Sequence, residues 1–194
     1  NVTRSGSGYE VDLGGEIVAC RFLALATPPD IAATLLDGAE PAVAALLEQF
    51  PVSDIESMAA VIPRDKTALP TLAGLIGLDD AFYSVVSRDP VPHPTLRAFT
   101  FHFRPGRYTE EAKRRRMAEV LGCAEADFVA SQGRVNRLPA LDGRHPPLVA
   151  RLDAACAGRG LALIGNYLQG MSIGDCAERA VHEAARLFDE GSHA

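Results

Sequence analysis

Residues 161–188, LALIGNYLQGMSIGDCAERAVHEAARLF, constrain the fold of this chain more than any other stretch. Leu161 to Ile164 form an apolar run of strand length, ended by Gly165-Asn166. Gly170 and Gly174 follow, positions without a Cβ where backbone can come close to a ligand before a helix begins. That helix has two candidate starts. With Ser172 as N-cap, Asp175 sits at the third helical position; with Asp175 as N-cap, Glu178 does. Beyond either start, Cys176, Ala180, Ala184, Leu187 and Phe188 share a face, while Glu178, Arg179, His182, Glu183 and Arg186 lie elsewhere. A helix start presents unpaired N–H groups and the positive end of the dipole, which suits an anion. The same residues also fit a capped helix with no ligand, since the Asp175 carboxylate already supplies the negative charge the dipole favours.

A strand and helix of this kind need a core to pack on, and the chain has the material for one. Its 194 residues are 47% hydrophobic and 23% charged, enough for one or two small domains and unlike a disordered chain. No apolar run approaches the ~20 residues a bilayer requires, and NVTRSGSGYE lacks the charged and apolar regions of a signal peptide. A formal charge of −6 argues against a nucleic-acid surface. Cys20, Cys123, Cys156 and Cys176 are scattered without a C-x-x-C pair, and the five histidines show no H-E-x-x-H spacing. Free thiols in a reducing, cytoplasmic compartment and no metal site are the expectation.

Taken in order, YEVDL (9–13) and EIVAC (16–20) flank Gly14-Gly15 and predict a hairpin, after a polar, turn-like opening at Asn1. A mostly apolar strand at 21–26 then runs into Thr27-Pro28-Pro29. Two helices follow between Asp30 and Phe50, separated by Gly38 and Pro41. Residues 53–64 alternate loosely and stop at Pro63, a strand pattern. TALPTLAGLIGLD (67–79) suits a buried loop lining a cavity or packed in the core. Strands are predicted at 81–89 and 96–104; in the second, Phe99, Phe101 and Phe103 share one face and Thr100, His102 and Arg104 the other. His102 has no carboxylate or serine at an informative spacing, so it is a candidate substrate contact and not a catalytic base. A helix capped by Thr109 spans 109–121, with Lys113 to Arg116 as a solvated face and one further turn at 124–128. Residues 147–157 read as another helix.

The segment GNYLQGMSIGDCAERA, with Gly165, Asn166, Gly170, Ile173 and Cys176 at their spacing, resembles the C-terminal flavin segment of the oxygen-dependent protoporphyrinogen oxidases, within the flavin amine oxidase superfamily. The strand ending Leu25-Ala26-Thr27-Pro28 is similar to a second signature of that superfamily, with Arg21 where an acidic residue is usual. Pro139, Gly143 and His145 resemble its P-x-x-x-x-G-H, with Arg144 inserted. The resemblance implies an α+β chain with a mixed or antiparallel sheet and helices: a substrate-domain insertion at 35–140, flanked by two pieces of a split FAD-binding domain at 1–34 and 141–194. It implies FAD as cofactor, oxidation of a carbon–hydrogen bond next to nitrogen with dioxygen as acceptor, and a small-molecule substrate, a porphyrinogen or an amine. Asn166 and Tyr167 would lie near the pyrophosphate and ribityl chain, and the backbone of Gly170, Met171, Ser172 and Ile173 at the pyrimidine edge, with no side chain acting as acid or base. The G-x-G-x-x-G of a dinucleotide-binding half does not occur here, so the chain is read as part of a longer protein whose N-terminal half is its partner. Such a piece would be inactive alone and would expose an apolar patch able to self-associate. Another flavin amine oxidase, a carotenoid desaturase-like enzyme, or a non-enzymatic α+β module remain alternatives, as does peripheral membrane association of the parent.

Overall fold

A computed structural model describes residues 1–192, so positions 193 and 194, the end of the 141–194 segment, lie outside the described residues. The chain is α+β and divides into two compact units, one made of residues 1–53 with 139–194, the other of residues 54–138. The division between the compact units falls at 53/54. The cause is packing: Ala32, Leu36, Val43 and Leu47 share a core with Leu148 and Leu152 of the returning chain.

The first unit opens with three antiparallel strands, β1 (Val2–Ser5), β2 (Gly8–Asp12) and β3 (Ile17–Cys20), in that spatial order. Gly14 and Gly15 take φ of +86° and +122°, and the Asp12 carboxylate accepts both of their N–H groups at 2.8 and 3.1 Å, which fixes the hairpin turn. The polar opening is a strand and not a turn; only Val2 of β1 is buried, too little apolar alternation to be read. β4 (Leu23–Leu25) leads to α1 (Pro29–Leu36) and α2 (Pro41–Leu47), both begun by proline, which has no N–H to waste in a first turn.

The second unit holds a five-stranded sheet. Its strands are β5 (Val52–Pro63, entered from the first unit), β6 (Gly74–Ile76), β7 (Phe82–Ser87) and β8 (Leu96–Phe103), then α3 (Glu110–Leu121) and β9 (Ala130–Pro139); the order is β6-β7-β8-β5-β9. Phe99, Phe101 and Phe103 are fully buried with Met58, Ile62 and Phe82, under Met117 and Leu121 of α3. Each of those rings contributes roughly 2–3 kcal/mol by leaving water. α3 is capped as expected, Thr109 Oγ1 accepting from the Ala112 N–H at 3.2 Å, and ends at Gly122 with φ +67°. Its basic run is not simply solvated: Lys113 pairs with Glu56, Arg114 with Glu125, and Arg116 with Asp80.

One expectation fails here, and one strand went unread. Residues 67–79 form no buried loop: Leu69 and Leu75 are half-buried against the phenylalanine core, but Ile76 and Leu78 are 76% and 89% exposed, because β6 is an edge strand. And β9 was not legible, since ASQGRVNRLP is polar and exposed along most of its length.

The chain returns to the first unit through α4 (His145–Cys156), β10 (Leu161–Leu163) and α5 (Ile173–Ser192). β10 pairs in parallel with β4, Leu161 opposite Leu23 and Leu163 opposite Leu25. No helix among the described residues is long and apolar enough to cross a membrane.

One buried ion pair organises the loop before β6. Arg97 donates to Asp89 from Nε at 3.0 Å and Nη2 at 2.5 Å, and to the carbonyls of Leu69 and Pro70 at 2.6 and 3.0 Å; both side chains are 4% exposed. Asp89→Ala strands the guanidinium in the interior and is expected to cost about 3–5 kcal/mol, read as a lowered urea midpoint. The Arg97 guanidinium holds the Asp89 carboxyl below the usual carboxylate range. Its stabilisation is thus present above the unfolded value of about 4 and lost as pH falls through the folded one, so Asp89→Asn should flatten the acid limb of the stability curve.

Candidate functional site

The strand β10 delivers the chain to the GNYLQGMSIGD turn. Leu168 N–H bonds the Gly165 carbonyl at 3.3 Å, and the Tyr167 ring folds back so closely that a Cβ on Gly165 would lie 2.6 Å from it. Tyr167 is fully buried, edge-on to Phe50 at 5.2 Å, and burial pushes its hydroxyl pKa up. His145 Nε2 donates to the Tyr167 carbonyl at 2.7 Å, so the Pro139/Gly143/His145 motif and the GNY turn are joined by a hydrogen bond. His145 also borders a groove of about 620 Å³ with Gln49, Asp142, Arg144 and Arg151. Neither link was readable from spacing.

Of the two candidate starts for α5, the first is the one formed. Asp175 N–H bonds Ser172 Oγ at 3.0 Å and Ser172 N–H bonds Asp175 Oδ2 at 2.9 Å, a reciprocal capping box. The Ser172 hydroxyl first, and then its N–H, hold the Asp175 carboxyl below its ordinary range. A Cβ on Gly170 would stand 2.3 Å from that carboxylate oxygen. Close internal contacts thus require glycine at 165 and 170, whereas a Cβ on Gly174 would meet only an ordinary contact, Ser172 Oγ at 3.5 Å. Met171 and Ile173 are 51% and 90% exposed, and Ile173 and Gly174, at the first two helical positions, have N–H groups with no partner one turn back in the helix. Asn166 is half-buried at the turn.

The packed side of α5 differs from expectation. Arg179 and Arg186 donate to the carbonyls of Leu163 and Leu161, at 3.3 and 2.5 Å, and Glu183, 6% exposed, binds both arginines at 3.0 and 2.5 Å. Arg179 reaches Asp153 of α4 as well. Cys176, Ala180 and Leu187 are half-buried, whereas Phe188 is 75% exposed and Val181 68%. The arginines hold this helix down because they saturate strand carbonyls that aliphatic groups would leave bare, and Glu183 pairs with both of them.

In the second unit His102 does have a serine neighbour. Ser57 Oγ lies 2.9 Å from His102 Nδ1, and Asn136 Nδ2 donates to Ser57 Oγ at 2.8 Å, across the adjacent strands β8, β5 and β9. Burial lowers the His102 pKa, favouring the neutral ring. A groove of about 280 Å³ opens beside them. The loose alternation of 53–64 marked Ser57 as facing away from Met58; Asn136 carried no signal because its strand was not read.

No family model matches the chain, and no curated protein matches it in sequence. Solved structures do. A protein from Exiguobacterium sp. 255-15 named as a protoporphyrinogen oxidase is 16% identical, with 97% of this chain covering 46% of that one at a TM-score of 0.67. A putrescine oxidase bound to putrescine is 14% identical over 97% of this chain and 47% of its own, TM-score 0.71. A fatty acid isomerase from P. acnes that produces CLA is 12% identical over 96% and 46%, TM-score 0.66. The fold is one that amine oxidases share. The chain spans about half the length of these structures, and at such identities the likeness fixes fold and not reaction, as the isomerase illustrates.

The capping box gives a direct test of the turn. Ser172→Ala should cost about 1 kcal/mol, and Gly170→Ala should push the Asp175 carboxylate off the Ser172 N–H. Both are expected to speed amide exchange in the first turn of α5 while leaving the second unit unchanged; unchanged exchange there would show that the box does not hold the turn.

Proposed function

We propose that this chain supplies the substrate-binding unit and the flavin-edge segment of an FAD-dependent oxidase of the protoporphyrinogen oxidase kind, acting on a carbon–hydrogen bond next to nitrogen. The observation that carries the reading is the start of α5. Ser172 and Asp175 satisfy each other, while the N–H groups of Ile173 and Gly174 sit in a helix first turn beside exposed Met171 and Ile173. A flavin edge fits backbone of that kind, where an N–H favours negative charge that develops on reduction. Of the three buried hydroxyls without a hydrogen-bond partner among the described residues, Ser131 Oγ lies in β9, while Thr27 Oγ1 and Tyr167 Oη fall in segments whose sequences resemble the superfamily. On this reading residues 1–53 and 139–194 are the two pieces of a split FAD-binding domain, with Asn166 and Tyr167 toward the pyrophosphate and ribityl chain and Gly170 to Ile173 toward the pyrimidine edge. FAD, when bound, would supply the hydride acceptor and the reaction with dioxygen.

The partner is a G-x-G-x-x-G half of the same protein, and the chain by itself is proposed to bind FAD weakly and to turn nothing over. Ile173, Val181 and Phe188, spaced along one side of α5 and exposed, would be covered by that half, or would drive self-association in its absence. The reading that competes is a non-enzymatic module, favoured by the fact that Asp175 and the Tyr167 ring already fill the space beside both glycines.

The test uses the protein from the whole gene. Purified, it should carry a visible flavin spectrum. Ile173→Pro removes one N–H at a position where proline is well tolerated, so it should leave the melting temperature unchanged and weaken flavin retention about tenfold, close to the value of one hydrogen bond to a charged group. A colourless protein that takes up no added FAD overturns the flavin reading and leaves the module.

A further inference from the structure

Arg179 touches three elements that surround the GNYLQGMSIGD turn. Its Nε donates to the carbonyl of Leu163, on the strand that leads into the turn, at 3.3 Å. Its Nη1 and Nη2 donate to the Asp153 carboxylate of α4 at 3.3 and 2.6 Å, and Nη2 lies 3.0 Å from Glu183, one turn further along α5. The Arg179 side chain is 11% exposed. α4 reaches the turn a second time through His145, whose Nε2 donates to the Tyr167 carbonyl at 2.7 Å. The turn is thereby held to α4 from within at Tyr167 and, through Arg179, at the helix that follows it.

Arg186 makes a related pair of contacts two turns later, donating to the Leu161 carbonyl and to Glu183, both at 2.5 Å. The two arginines differ in what they can set. Ile173 and Gly174 lie about 8–9 Å along the helix axis from Arg179 and about 18–20 Å from Arg186. The Arg179 guanidinium is a rigid planar fork divided between a carbonyl and a carboxylate on two separate elements, so it has little freedom to follow a slide or roll of α5. A slide of one residue, about 1.5 Å, moves the first-turn N–H groups by more than the margin between a good hydrogen bond and a lost one.

We infer that Arg179 is a positioning residue for the flavin edge: it fixes the axial setting of α5 against β10 and α4, and so the place at which the N–H groups of Ile173 and Gly174 meet the cofactor. The inference rests on the flavin reading proposed above and adds to it a side chain that acts through the helix. The Ser172 and Asp175 box orders the first turn internally, and Arg179 sets where that ordered turn stands. Arg186 anchors the same helix without that second role, because the groups it holds lie at the far end of β10 from the turn.

The protein from the whole gene carries the test, with Arg179→Lys and Arg186→Lys as a matched pair. Each keeps its charge and gives up the guanidinium fork, so both should lower the melting temperature. Arg179→Lys should also speed amide exchange at residues 173–176 and weaken flavin retention, each about tenfold, and shift the absorption band of the flavin that stays bound. Arg186→Lys should leave those three readouts unchanged. Asp153→Asn, a milder change at a side chain 43% exposed, should move exchange and retention the same way by about threefold, and it decides the matter should Arg179→Lys not fold. A shared response of both lysine variants in the first turn and the flavin, or a flavin site indifferent to Arg179→Lys and Asp153→Asn, overturns the inference. A coloured protein with either result leaves the flavin reading standing; a colourless protein that takes up no added FAD overturns that reading and this inference with it.

Discussion

The open carbonyl edge of β10 is the constraint on which the first unit depends. β4 and β10 are three residues each, paired in parallel, and so short a two-stranded sheet leaves the Leu161 and Leu163 carbonyls pointing away from its partner. Unpaired acceptors in a buried strand are costly. α5 removes that cost by placing Arg179 and Arg186 on those two carbonyls, and Glu183 between the arginines keeps their charge paired out of water. The pairing also closes a loop of more than a hundred residues, which is tolerable because closure entropy grows only logarithmically with length. A whole domain can therefore sit between the two strands.

Mounting a helix by its charged side has a second effect. The residues left for the outer surface of α5 include Ile173, Val181 and Phe188, the kind that normally does the mounting. The first turn is held by its own Ser172 and Asp175, so the direction in which Gly170 to Ile173 presents backbone is set from within the unit. A first turn built this way is preorganised, and the main-chain groups it presents are ones that side-chain variation does not alter.

Most of the fold was legible because most of it follows period and punctuation. Gly14-Gly15, the prolines before α1 and α2, Thr109 and the alternation at 96–104 each act locally, and each stands where the sequence put it. What was not legible depends on partners distant in sequence. β1 and β9 are strands because a neighbour's edge pairs with them, not because their own pattern demands it. The buried role of Glu183 follows from carbonyls twenty residues away, and the Ser57–His102–Asn136 chain joins three strands that no spacing rule connects. Gly170 was recognised as a site of close approach, and a carboxylate of the same turn stands beside it; Gly165, read only as a strand end, is crowded by the Tyr167 ring.

In the second unit the polar face of the sheet depends on the apolar face behind it. Alternation along β8 assigns Phe99, Phe101 and Phe103 to one side, and their burial fixes the register with β5 from Glu56–Phe103 to Pro63–Leu96. With register fixed, Ser57 has to lie opposite His102, and the donor chain from Asn136 is a consequence of the apolar side's packing. A one-residue slip would place His102 in the core and a phenylalanine on the open face. The polar chemistry of this surface is thus held in place by the hydrophobic burial behind it.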